Sequence, residues 1–234
     1  MTLQNIIDQS SNIVFFGGAG VSTASGIPDF RSSNGLYNKD LDQNLSPETI
    51  LSESFFRSNP LIFYDFYKNN LLYPEAKPNA AHVKLAELEA AGKLSCIITQ
   101  NIDGLHQKAG SEAVLELHGN TRYAYCPRCG CRYTTEQIIE DDIPVCDCGE
   151  IIKPDIVLYE GSVKNMDVAA RMISNANTLI IGGTSLSVWP AAGLIDYFSG
   201  TYLVLINRDS VDTDLDFDLV INEDIAEVFS KIKV

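Results

Sequence analysis

Four short apolar runs constrain this chain more than any other feature. NIVFF (12–16), LSCIIT (94–99), TLIIGG (178–183) and TYLVLIN (201–207) are rich in β-branched residues and bounded by turn formers. Such runs suit strands buried on both faces, as in the centre of a doubly wound parallel sheet. DLVI (218–221) predicts a fifth strand. Helical patterns lie between them. AAHVKLAELEAAGK (80–93) places Val83, Leu85, Leu88 and neighbouring alanines on one side and ends at Gly92, a helix-stop signal. Residues 168–175 and 225–232 read the same way, and the N-terminal stretch predicts an amphipathic helix with Leu3, Ile6 and Ile7 on one face. Alternating strands and helices predict an α/β, Rossmann-like layer fold.

Two segments break the alternation. Residues 36–73 carry no clear strand but many aromatics, among them Phe55, Phe56, Phe63, Tyr64, Phe66 and Tyr67, and predict a helical module. Residues 122–152 hold five of the six cysteines and predict short strands and turns. The main domain is then expected over 1–35, 74–121 and 153–234.

Composition narrows the function. The 234 residues include 31 acidic and 17 basic ones, a formal net charge of −14, with no cluster of Lys and Arg for a nucleic-acid backbone. An acidic surface steers basic partners or simply keeps the protein in solution. No run of eighteen apolar residues predicts a membrane span. The first residues lack a basic stretch followed by a long apolar one, so the chain is expected to stay in the cytoplasm.

The first strand runs into Gly17-Gly18-Ala19-Gly20-Val21-Ser22-Thr23, where backbone N–H groups at a strand-to-helix turn can cradle a pyrophosphate. Thr23 stands where a dehydrogenase fingerprint has its third glycine. Instead of a helix leading to a ribose-binding acid, the chain continues into Gly26-Ile27-Pro28-Asp29-Phe30-Arg31, and Arg31 offers a charged fork for phosphate. Dinucleotide binding survives this reading and hydride transfer weakens. After the second strand comes Gln100-Asn101-Ile102-Asp103, at the sheet end where ligands sit. His118, beside Gly119 at the end of another short strand, is a candidate general base, although a lone histidine is more often structural.

The cysteines point to metal. Cys126 and Cys129 form a C-x2-C knuckle, and sixteen residues separate it from Cys146 and Cys148. Four thiolates in two close pairs satisfy one tetrahedral, structural Zn2+, with Cys131 a possible substitute ligand.

In this order, Gly18-Ala19-Gly20-Val21-Ser22, Gly26 to Arg31, Thr99 to Asp103, His118-Gly119, Gly183-Thr184-Ser185-Leu186 and Asn207 resemble the sirtuins over nearly the whole chain. The resemblance implies a Rossmann-like domain with a smaller inserted domain, made of a zinc-binding module and a helical module. It implies an NAD-dependent protein lysine deacetylase that transfers acetyl to ADP-ribose, releasing nicotinamide and O-acetyl-ADP-ribose. His118 would be the base. Gln100, Asn101 and Asp103 would line the ribose and nicotinamide pocket, with Ile102 and Phe30 nearby. Ala19, Thr23 and Arg31 would meet the diphosphate, Thr184 and Ser185 the dinucleotide, Asn207 the adenosine ribose and Ile225 the adenine. Pro154 to Glu160 matches the family's substrate strand. Val157 would therefore touch the acyl-lysine, with Val188 and Trp189 on the opposite edge. Acetylated proteins or peptides would be the partners, with neither nucleic acid nor membrane.

Sirtuins that prefer acidic acyl groups carry a Tyr-x-x-Arg pair. Here Tyr67 is matched with Asn70 in place of Arg, which argues for neutral acyl groups. The alternatives are NAD-dependent ADP-ribosyl transfer and a silent NAD-binding module; the latter is disfavoured because His118 is present.

Overall fold

The computed structural model describes residues 1–30, 35–38 and 45–234. Among them nine strands occur: β1 (Ile13–Gly17), β2 (Leu94–Thr99), β3 (Val114–Glu116), β4 (Gly119–Tyr125), β5 (Arg132–Thr134), β6 (Lys153–Ile156), β7 (Thr178–Gly182), β8 (Tyr202–Ile206) and β9 (Leu219–Ile221). Six of them form one sheet in the order β3-β2-β1-β7-β8-β9, every neighbouring pair parallel. All five apolar runs of the sequence are strands of this sheet.

Each central strand sends alternate side chains to opposite cores, as the two-residue period of a strand requires. Ile13, Phe15, Ile97, Ile180, Val204 and Ile206 meet helices α1 (Leu3–Gln9), α5 (Ala80–Ala90) and α9 (Ile225–Ser230) on one face. Val14, Phe16, Cys96, Ile98, Leu179, Ile181, Leu203 and Leu205 meet α8 (Met166–Asn175) and the 3-10 helix Ala191–Tyr197 on the other. Leu3, Ile6 and Ile7 are buried together, as their spacing predicts.

One expectation fails within α5. Ala81, Leu85 and Leu88 are fully buried, but Val83 is 43% exposed. Residues 81, 85 and 88 recur at the helical period and define the inward stripe, while position 83 is turned about 200° from residue 81. Asn79 starts this helix by accepting the N–H of Ala81, and Gly92, at φ +71°, lets the chain leave it.

The two excursions have cores of their own. Helices α2 (Pro47–Ile50), α3 (Glu53–Ser58) and α4 (Pro60–Asn70) enclose Ile50, Leu51, Phe56, Phe63, Tyr64, Phe66, Tyr67 and Leu71, closed by Ile156 and Leu158. The cysteine-rich segment forms a second sheet, β5-β4-β6, with helix α7 (Thr135–Ile138) against it. This sheet starts at Gly119 and ends at Ile156, a few residues outside 122–152 on either side. The Tyr64 hydroxyl donates to the Ile152 carbonyl and joins the two excursions. Among the described residues no helix is long and apolar enough to cross a membrane.

Leu85→Ala is expected to cost about 2–5 kcal/mol of unfolding free energy, and Val83→Ala less than about 0.5 kcal/mol. Urea unfolding of the two variants checks the face of α5 that is buried.

Candidate active site

The chain leaves β1 for β2 on one side and later returns to β7 on its other side, so a crevice opens at the carboxyl ends of these strands. After β1 the backbone makes two short 3-10 turns, Ala19–Val21 and Thr23–Ser25, with no α-helix among residues 18–30. The glycines here serve a close loop contact. The Gly18 N–H donates to the Gly182 carbonyl at 3.2 Å and the Gly20 N–H to the Gly183 carbonyl at 2.8 Å. A Cβ on Gly18 would lie 2.8 Å from the Gly183 oxygen, and one on Gly20 2.7 Å from the Gly183 Cα. Two of the N–H groups that the sequence suggests for an anion are thus already taken.

A cavity of about 630 Å³ occupies the crevice and continues between the sheet and the helical excursion. Its wall brings together Ala19, Thr23, Phe30, Gln100, Asn101, Ile102, Asp103, His118, Val157, Thr184, Ser185, Val188, Asn207 and Ile225, fourteen candidates that the sequence scatters over some two hundred positions. Arg31 lies outside the described residues. Tyr67 is not on the wall: its ring is buried in the helical core, stacked on Phe63 at 6.1 Å, while Asn70 and Leu71 reach the cavity instead. Position 67 lies on the inner side of α4, so Tyr67, expected at the acyl pocket, packs in the helical core instead.

Polar side chains at the strand ends hold one another. The Ser22 hydroxyl donates to Asp103 Oδ2 at 2.6 Å and accepts from Asn101 Nδ2 at 3.1 Å. The Leu105 N–H donates to Asp103 Oδ1 at 2.8 Å, so both carboxylate oxygens have a donor. Gln100 Nε2 donates to Thr184 Oγ1 at 3.2 Å and ties the end of β2 to the loop after β7. Ser22 was missed as a site residue by sequence reasoning; its position in the glycine-rich turn, one residue before Thr23, was the available signal.

His118 precedes β4. Its Nδ1 is 3.0 Å from the Gln100 carbonyl, an acceptor only, so Nδ1 carries the proton and Nε2 keeps its lone pair. Burial pulls its pKa below 6.5, against the smaller opposing effect of the Gln100 carbonyl, so the ring is neutral at pH 7. Gly119, at φ +75°, follows at a point where a Cβ would lie 1.9 Å from the Asp155 carbonyl oxygen, and only glycine fits there. The His118 carbonyl accepts the Val157 N–H at 2.8 Å, which fixes the histidine beside the expected substrate strand.

Behind Asp103 lies a buried pair that the sequence did not announce. The rings of His82 and His106 are 4.7 Å apart. Burial pushes their pKa values down to about 4 and about 3, so both are neutral at pH 7.

The sulfur atoms of Cys126, Cys129, Cys146 and Cys148 all lie within 4.8 Å of one another. Cys126 and Cys148 are 3.4 Å apart, and Cys129 and Cys146 3.5 Å. Tetrahedral zinc with Zn–S bonds of about 2.3 Å needs sulfur separations of about 3.8 Å, so this donor set fits the ion. The Tyr133 hydroxyl donates to the Cys146 sulfur at 3.1 Å, the kind of outer contact that orients metal ligands.

A parallel sheet with a cavity at its switch point, a neutral histidine on the wall and a four-thiolate knuckle in an insert together define a dinucleotide-binding α/β protein with a structural metal module. Comparison with known proteins gives the family. The Sir2 family model matches residues 18–190. An NAD-dependent protein deacetylase of Clostridium perfringens is 55% identical over 98% of this chain and 96% of its own length. One from Clostridium acetobutylicum is 50% identical with the same coverage. A solved Sir2 structure with deacetylated p53 peptide and 3'-O-acetyl-ADP-ribose has a TM-score of 0.89 at 40% identity, covering 98% of this chain and 96% of that one. A Sir2 complex with p53 peptide and NAD+ has a TM-score of 0.85 at 40% identity, with the same coverage. The chain belongs to the Sir2 family.

The purified protein is expected to hold about one zinc per chain, and Cys148→Ser to lower both zinc content and melting temperature. Elemental analysis of both proteins checks the ligand set; zinc retained in this variant but lost in Cys131→Ser would reassign it.

Proposed function

We propose that this chain is an NAD-dependent protein lysine deacetylase. It consumes one NAD and one water for each acetyl-lysine, transfers the acetyl group to the ADP-ribose part and releases nicotinamide, free lysine and O-acetyl-ADP-ribose. One observation carries the reading: a neutral histidine with a free Nε2 sits on the wall of the cavity that gathers the dinucleotide-side and substrate-side candidates. Its nearest support outside the chain is the deacetylase relatives at 50–55% identity over almost the full length.

NAD supplies a sugar carbon that becomes electrophilic as nicotinamide leaves, and the acyl-lysine amide oxygen is the nucleophile held against it. The chain's residues divide the remaining tasks. Gln100, linked to Thr184, and Asn101, linked to Ser22, hold the ribose side. Asp103, fixed by Ser22 and the Leu105 N–H, presents a carboxylate to the nicotinamide amide. His118 Nε2 accepts the proton of a ribose hydroxyl, which then attacks the acyl carbon; the lysine amine leaves from that carbon and water completes the O-acetyl product. Ala19 and Thr23 face the diphosphate, Ser185 and Asn207 the adenosine side, and Ile225 the adenine. Holding both reactants in one cavity contributes by proximity. A peptide would enter extended between Val157 and Val188, adding a strand to the 157–160 segment. Acetylated proteins are the partners in this reading, the cytoplasm is the compartment, and residues 36–73 and 122–152 are the two modules of a small domain inserted into the Rossmann-like one.

His118→Ala should lower kcat/KM about a hundred- to ten-thousandfold while leaving the melting temperature near that of the wild type. Because burial depresses the His118 pKa, the active neutral form persists above pH 6.5, and activity should be lost only as pH falls below that value. A variant with near-normal turnover, or a wild-type acid limb above 6.5, would remove His118 from this role.

Acyl preference follows from charge. Among the described wall residues Arg208 is the only Lys or Arg, and it adjoins Asn207 at the adenosine end. Lys68 turns away, donating to the Asp141 carbonyl at 2.6 Å. A succinyl carboxylate near Val157, Leu51 and Leu71 would be unpaired, so kcat/KM for acetyl-lysine should exceed that for succinyl-lysine by on the order of a hundredfold. Matched peptides differing only in the acyl group give this ratio, and comparable values would place an unrecognised cation at the pocket.

A further inference from the structure

The helical excursion grips the expected substrate strand from one side, and a buried amine sits where the two meet. Lys153, the first residue of β6, is only 5% exposed. Its Nζ donates to the Ile156 carbonyl at 2.8 Å, lies 3.2 Å from Glu53 Oε1 and stands 5.7 Å from the centre of the Tyr125 ring. Glu53 opens α3, and this stretch of the excursion holds the far end of the same strand. The Glu53 N–H donates to the Tyr159 carbonyl at 3.1 Å, and the Tyr159 N–H to the Leu51 carbonyl at 2.9 Å. Ser54 donates to the Glu160 carboxylate through its N–H at 3.0 Å and its hydroxyl at 2.9 Å. The Val157 N–H, between these two ends, is bonded to the His118 carbonyl. Lys153 thus ties the Ile156 carbonyl to the helix that holds Tyr159 and Glu160.

A buried ion pair is a weak source of stability, because desolvation offsets much of its attraction. Burial lowers the Lys153 pKa, against the smaller opposing effect of Glu53. An apolar side chain of similar length would fill the same space without that cost. What the amine adds is geometry: a donor for the Ile156 carbonyl and a counter-ion for Glu53 at one point. We propose that Lys153 is a positioning residue for the acyl-peptide strand, setting residues 156–160 between His118 and the helical excursion so that the acyl-lysine meets the base. Lys153 is not on the cavity wall, so it acts through Ile156 and Glu53 and touches no reactant. The dinucleotide-side candidates Gln100, Thr184 and Asn207 are carried by the ends of β2, β7 and β8 instead. Loss of the amine therefore falls on the peptide and spares NAD.

The proposal rests on the deacetylase reading, with Val157 at the acyl-lysine. Wild type, Lys153→Met and Glu53→Ala are compared by KM for an acetyl-lysine peptide, KM for NAD, and hydrogen exchange of the Val157 and Tyr159 amides in the free protein. Lys153→Met keeps a stem of similar length and removes the donors; Glu53→Ala removes only the carboxylate and leaves the backbone bond to Tyr159. Lys153→Met should raise the peptide KM about tenfold or more and leave the NAD KM within about twofold of the wild type. Glu53→Ala should shift the peptide KM in the same direction by less. Exchange at Val157 and Tyr159 should be faster in both. A peptide KM that stays at the wild-type value in the variants that fold, or peptide and NAD KM values that rise by similar factors, would overturn the proposal. A wild type that does not deacetylate the peptide refutes the functional reading instead. Exchange at Val157 and Tyr159 then decides the positioning role alone: faster in the variants supports it, and unchanged overturns it.

Discussion

Two glycine turns meet at the carboxyl end of the sheet, and the rest of the site depends on how closely they approach. Gly18 and Gly20 after β1 donate to the carbonyls of Gly182, the last residue of β7, and Gly183 after it, with no room for a Cβ on either donor. This contact fixes the floor of the crevice where the strand order reverses. Ser22 leaves the first turn at the height of Asn101 and Asp103, and Thr184 leaves the second at the height of Gln100. Gln100 in turn holds the His118 ring through its carbonyl. A chain of short polar contacts therefore runs from a backbone–backbone approach to the proposed base.

The inserted modules complete what the sheet begins. The helical excursion closes the cavity with Leu51, Asn70 and Leu71, and the Tyr37 and Tyr159 hydroxyls bond to each other across its wall. The metal knuckle lies apart from that wall, and none of its four cysteines lines the cavity. It lies in the segment that connects β4 to β6, and the other end of that antiparallel pair carries His118 and Val157 side by side, the Val157 N–H donating to the His118 carbonyl. Metal and base are thus connected through the small sheet, by packing rather than by coordination.

The strands were legible because a parallel sheet needs runs that are apolar on both faces, and few other elements need them. The knuckle was legible because thiolate spacing is local. Val83 misled because three apolar positions in α5 share a stripe and a fourth does not, a distinction of helical angle rather than of composition. Tyr67 misled because α4 is aromatic on nearly every side, so sequence could not say which ring faced the cavity. Ser22 is 81 residues from Asp103, and the adjoining rings of His82 and His106 come from separate helices. Partners of that kind exist only once the sheet has brought its strand ends together. The glycine-rich turn was read as a phosphate cradle, yet part of its hydrogen-bonding capacity serves the neighbouring loop.

In the proposed reaction, removal of the acyl group and consumption of NAD are one coupled event at this cavity. Incubation of the zinc-loaded protein with NAD and an acetyl-lysine peptide, with all products quantified by mass spectrometry, tests it directly. Nicotinamide, deacetylated peptide and O-acetyl-ADP-ribose should appear in equal amounts, and none should appear without the peptide's acetyl group. Free acetate released without nicotinamide, or ADP-ribose attached to a peptide that keeps its acetyl group, would contradict it.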